Sequence, residues 1–237
     1  MKRATACVLL LILALGASGC GSSKEDEAAA ARKRAAAAAH ARSVEIGSRA
    51  FEEHCHACHT IAGRRFTRPI VEFLAPNLDE VRLKRGYVQF RVDVGGPAMA
   101  SFSTEMSRAE YDGLIDYVTE TAGRDVVDDG DQPADELAAG EEVFAQHCAA
   151  CHAIEGRAAT GRPIYPGTDF TLVKPSVRWV LRRMHEGVLA EFGKEGMMPS
   201  FRGTLTDAQM SAVATYVSAV GMEGPQAPGG PLAPPTE

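Results

Sequence analysis

Two short strings constrain this chain of 237 residues more than anything else in it. Cys55-His56-Ala57-Cys58-His59 places two thiols three positions apart with an imidazole directly after them, and Cys148-Ala149-Ala150-Cys151-His152 repeats the arrangement. On about one helical turn, two such sulfurs can reach one edge of a flat macrocycle, and the next residue points its ring nitrogen at the centre. That is the attachment pattern of a c-type haem. Two copies predict two haem c groups, held covalently by Cys55 and Cys58 and by Cys148 and Cys151, with His59 and His152 on the irons.

Zinc is the main competitor for paired cysteines. The pairs lie 93 positions apart (148 − 55), whereas zinc ribbons separate theirs by about 15–20. A thioredoxin-like pair needs a βαβ setting, and no strand-like alternation surrounds either pair. Charge excludes another class. The formal net charge is −6, and loss of Lys2 and Arg3 with the first 19 residues takes it to −8. Such a surface argues against a nucleic-acid binder and suits a basic protein partner or simple solubility.

The chain divides readily. Residues 1–19 read as an export signal of lipoprotein type: Lys2 and Arg3, an apolar centre from Val8 to Leu15, and Ala17-Ser18-Gly19 before Cys20. The apolar run is short of the ~20 residues a membrane-spanning helix needs. Cys7 leaves with the signal, so Cys20 is the odd thiol in an exported chain, and lipidation gives it a role. The alternative is a plain cleaved signal with Cys20 idle. Residues 20–43 form an alanine-rich spacer. Residues 44–122 are the first domain, 123–134 an acidic linker, 135–221 the second domain, and 222–237 a tail rich in Pro and Gly.

The domains repeat each other. Val44, Gly47, Phe51 and His54 recur as Leu137, Gly140, Phe144 and His147, each set spaced for a helix that runs into its cysteine pair. The two glycines would let the first and last helices of each domain cross closely. Leu78 to Gln89 reads as helical. Ser107-Arg108-Ala109-Glu110 and Thr206-Asp207-Ala208-Gln209 are capping boxes that open each last helix. Arg68-Pro69-Ile70 and Arg162-Pro163-Ile164 echo each other, and a five-residue insertion after Ile164 accounts for most of the change in spacing.

A six-coordinate haem iron needs a second axial ligand, often a methionine thioether, which raises the potential. Met198-Pro199-Ser200-Phe201 precedes the last cap of the second domain, and Met99-Ala100-Ser101-Phe102 stands 99 positions earlier. Met99 and Met198 are therefore the candidate ligands. Met106 and Met184 suit packing, Met197 has no counterpart, and His185 is the rival on the second iron. A metal-bound imidazole is oriented by an acceptor on its other nitrogen. Pro76 is the candidate for His59, and Pro175, with Pro163 as the alternative, for His152. Trp179 has two open roles, a hydrogen bond to a haem propionate or packing.

These residues resemble the class I-like cytochrome c family, and bacterial dihaem cytochromes c within it. The resemblance implies an all-α fold of two tandem small domains, each wrapped around one covalent haem with His/Met ligation. Ala100, where the family usually has Pro, and the long Gly156–Pro175 loop depart from the pattern. The implied function is single-electron transfer between respiratory redox partners outside the cytoplasmic membrane. A quinol-oxidising complex and a terminal oxidase are the partner classes, and a lipid anchor would hold the chain on the membrane or leave it periplasmic. A haem enzyme with a displaceable ligand and a dedicated subunit of a respiratory complex are the alternatives. No spare cysteine remains in the globular part for a Cys-ligated catalytic haem, which counts against the enzyme.

Overall fold

The computed structural model describes residues 24–64, 75–96, 99–127, 132–161, 167–188 and 198–222. Contacts divide the chain after Ala41. The first unit contributes the alanine-rich part of α1 (Lys24–His54), exposed throughout from Lys24 to Ala41. Alanine favours helix intrinsically, and Glu25, Asp26 and Glu27 complement the dipole at its start. Residues 1–19, Cys20 and the tail from Glu223 lie outside the described residues. No helix among the described residues is long and apolar enough to cross a membrane.

From Arg42 onward both repeats belong to one unit. The first comprises the end of α1, a 3-10 turn at Leu78–Glu80, β1 (Val81–Leu83), α2 (Arg85–Val94) and α3 (Arg108–Thr121). The second comprises α4 (Ala134–His147), β2 (Val173–Pro175), α5 (Val177–Glu186) and α6 (Asp207–Val220). Both capping boxes form, with Ser107 accepting from the Glu110 amide and Thr206 from the Gln209 amide. The glycine crossings form too. A methyl group on Gly47 would run into the Gly113 backbone of α3, and one on Gly140 into Ala212 and Tyr216 of α6. Only a missing Cβ allows helices so close.

Each repeat has its own apolar centre. Phe51, Ile61, Leu114 and Ile115 anchor the first, and Phe144, Ile154, Val213 and Ala214 the second. Burial of each large side chain contributes about 1.5–3 kcal/mol.

The segment from Leu78 to Gln89 is not one helix. Leu78–Glu80 is a short 3-10 turn capped by the Asn77 side chain, Val81-Arg82-Leu83 is a strand, and α2 begins only at Arg85. The reason is long-range: β1 pairs antiparallel with β2, Val81 opposite Pro175, Arg82 opposite Lys174 and Leu83 opposite Val173. The acidic linker is also shorter than its composition suggests. Gly123 and Asp125 donate to the carbonyls of Leu78 and Asp79, and Val126 is buried, so residues 123–126 belong to the first domain.

Candidate haem sites

Each cysteine pair continues the helix before it as a single tight turn. The Cys55 amide donates to Phe51 at 2.9 Å and the His59 amide to Cys55 at 2.9 Å. In the second repeat the Cys148 amide donates to Phe144 at 2.8 Å and the His152 amide to Cys148 at 3.0 Å. All four thiols are free.

The imidazoles are oriented by carbonyls. His59 Nδ1 lies 3.1 Å from the Pro76 oxygen, the acceptor expected from the sequence. His152 Nδ1 lies 3.0 Å from the Thr168 oxygen, so Pro175 is not its acceptor. Pro175 instead sits in β2 opposite Val81. The expectation failed because the repeats were offset at the wrong place. His152 also stacks on Phe170, with ring centroids 5.1 Å apart. Burial holds both imidazoles below the usual histidine range, against the opposing pull of their carbonyl partners. Both therefore stay neutral, with Nδ1–H donating and Nε2 free to bind a metal.

Met99 and Met198 occupy equivalent hairpins. The Gly96 amide donates to the Met99 oxygen at 2.8 Å and the Val188 amide to the Met198 oxygen at 2.8 Å. Two residues on, the Phe102 amide donates to the Val92 carbonyl and the Ser101 hydroxyl to that of Asp93. In the second repeat the Phe201 amide donates to Met184 and the Ser200 hydroxyl to His185. Here the helix residues correspond at a shift of 92 and the hairpin residues at 99 (184 − 92 and 201 − 102). The extra seven residues thus fall between Val188 and Met198, immediately before the methionine, rather than after Ile164. Met106 packs on the first core and Met184 is buried in the second, as their spacing suggested.

The shift of 92 exposes a pairing that sequence reasoning passed over. Tyr87 corresponds to Trp179 and Arg91 to Arg183. The Arg91 guanidinium lies over the Tyr87 ring at 5.1 Å, and Arg183 over Trp179 at 5.5 Å. An aromatic residue followed by arginine four positions later, twice, was a readable signal once the insertion was correctly placed.

These residues suit a haem. Burial, with the neighbouring thiol second, pushes Cys55 up to about 12 and Cys148 up to about 11. Redox and metal-binding thiols are instead lowered. Trp179 Nε1 is buried without a hydrogen-bond partner. A buried donor of this kind calls for an acceptor, and a haem carboxylate supplies one.

Two matched sites of this design make the molecule a tandem c-type cytochrome. Residues 42–118 and 135–217 match the family described as cytochrome c oxidase, cbb3-type, subunit III, and the chain belongs to that family. It is a dihaem electron-transfer cytochrome with two c-type haems. Among relatives, it is 30% identical to the cbb3-type cytochrome c oxidase subunit CcoP of Rhodobacter capsulatus, over 48% of this chain and 37% of that one. It is 35% identical to cytochrome c6 of Leptolyngbya boryana, over 35% of this chain and 89% of that one. Among solved structures, the c-type cytochrome SorU of Sinorhizobium meliloti is 31% identical over 39% of this chain and 98% of that one, with a TM-score of 0.31. The chain thus spans little more than a third of the length of the CcoP relative.

Proposed function

We propose that Cys55 and Cys58 hold one haem and Cys148 and Cys151 the other, with His59 and Met99 on the first iron and His152 and Met198 on the second. The observation that carries this reading is the duplicated methionine hairpin, tied by the same three hydrogen bonds to the end of α2 and of α5. The four cysteine sulfurs would hold the two groups covalently, as thioethers. The bound haem supplies reversible one-electron chemistry. The chain supplies everything else. The Pro76 and Thr168 carbonyls hold each imidazole in its Nδ1–H tautomer. The methionine thioethers of Met99 and Met198 would favour the ferrous state of a bound haem iron. The buried Trp179 indole N–H would donate to a haem carboxylate.

The chain passes electrons to a terminal oxidase of cbb3 type, on the outer side of the cytoplasmic membrane, with Cys20 lipidated as the anchor. The likeness to CcoP supports the partner, and the odd thiol behind an export signal supports the anchor. Mass spectrometry of the exported chain should show two added haems. A redox titration should report two methionine-ligated irons, one lost in Met99→Ala and the other in Met198→Ala. Spectra indifferent to both substitutions would overturn the ligand set. The reduced protein should be oxidised by membranes containing a cbb3-type oxidase, in a cyanide-sensitive reaction; no oxidation would remove that partner. Cys20→Ser should release the protein from the membrane fraction.

A further inference from the structure

The two repeats meet about a local two-fold axis. Arg82 and Lys174 are equivalent at the shift of 92 and stand opposite each other at the centre of the β1–β2 pair. The flanking hydrogen bonds are symmetry mates: the Lys84 amide donates to the Leu172 oxygen at 2.9 Å, and the Ser176 amide to the Glu80 oxygen at 2.7 Å. Lys84 and Ser176 are the residues that open α2 and α5.

The Glu80 side chain breaks this symmetry. The Glu80 side chain is 4% exposed and reaches across to α5. Arg182 meets it with both guanidinium nitrogens, Nη1–Oε1 at 3.2 Å and Nη2–Oε2 at 2.5 Å, and Arg178 Nε stands 3.7 Å from Oε1. The equivalents of Glu80 and Arg182 are Leu172 and Phe90, which carry no charge. Glu80 therefore grips α5 twice, by its carbonyl at the first residue before the helix and by its carboxylate two turns later. Between these points α5 carries Trp179, which packs against both cores. The far end of α5 holds the Met198 hairpin.

We propose that Glu80 is a positioning residue that locks α5 of the second domain onto the first, and so sets the rate at which one electron crosses between the two haem sites. The proposal rests on both sites being loaded as described above. One site is oxidised as the other is reduced, and no bond or proton needs to move. A bidentate, buried pair fixes geometry as well as charge. Neutral glutamine keeps the size of Glu80 but leaves Arg182 without its anion.

The test uses the full-length, haem-loaded protein and its Glu80→Gln, Arg182→Gln and double variants. Flash photoreduction at less than one electron per molecule gives the concentration-independent rate of exchange between sites. Haem mass and the ferric methionine–iron band report loading and ligation separately. Each single variant should keep both signatures and lose about tenfold or more in rate, within the roughly hundredfold that an ångström of misplacement can cost. The double variant should lose no more than the worse single, because the pair acts as one unit. Exchange at the native rate in the single variants, or losses that multiply in the double, would overturn the proposal. Should Glu80→Gln not accumulate with haem, Glu80→Asp decides the same question. A shortened carboxylate should slow exchange with spectra intact, and a native rate counts against the latch.

Discussion

Single atoms decide what each site can do. Met99 and Met198 stand at equivalent positions and each offers a soft thioether as second ligand, and Met198→Ala should lower the potential of the second iron while leaving the first unchanged. A spectroscopic redox titration checks this, and Met99→Ala should give the mirror result. The Trp179 indole makes a subtler case. Trp179→Phe preserves an aromatic body over which Arg183 can lie but removes the N–H. A haem carboxylate without that donor keeps more negative charge near the iron, which favours the ferric state. The second potential should therefore fall, with little change in denaturant midpoint. Residues visible in sequence are those whose chemistry is local: the cysteines, the histidines and the methionines. Thr168 was not visible, because any backbone carbonyl can accept from an imidazole and only the folded path of the loop selects one.

Helices in this protein are specified mainly by their ends and by one small position each. Ser107 and Thr206 satisfy amides that no helix can satisfy for itself. Ser107→Ala and Thr206→Ala should each cost about 1 kcal/mol, read as a lower denaturant midpoint with an unchanged slope. Gly47 should tolerate far less. In Gly47→Val the new side chain meets the Gly113 backbone, which cannot rotate away as a side chain would. A cost of about 1–3 kcal/mol or more follows from forced overpacking, together with lower recovery of haem-loaded protein. Caps and glycine crossings were legible because they depend on neighbours three or four positions away. The strands were not. Val81-Arg82-Leu83 carries a helix-compatible pattern, and only pairing with a segment from the other repeat turns it into β1.

At the scale of the whole molecule, the two repeats share structure. Leu172 and Val173 come from the second repeat yet belong to the apolar centre of the first. A fragment of residues 42–127 would lose both partners and the β1–β2 pairing. It should unfold at lower denaturant than the same domain in the intact chain, by a few kcal/mol at about 1.5–3 kcal/mol per large apolar side chain. Denaturant titrations followed at the haem band test this, and equal midpoints would show the domains to be independent.

Sequence alone determined the cofactor, its number and the capped ends of the last helices, and it named the side chains proposed as iron ligands. Those properties follow from covalent chemistry and from contacts within a turn or two of helix. Tertiary structure alone decided the acceptor for His152, the place of the seven-residue insertion, the strand at Val81 and the one-sided Glu80–Arg182 clasp. Each of these depends on which distant segments meet, and the cost and reward of such meetings are not written in the spacing of neighbouring residues.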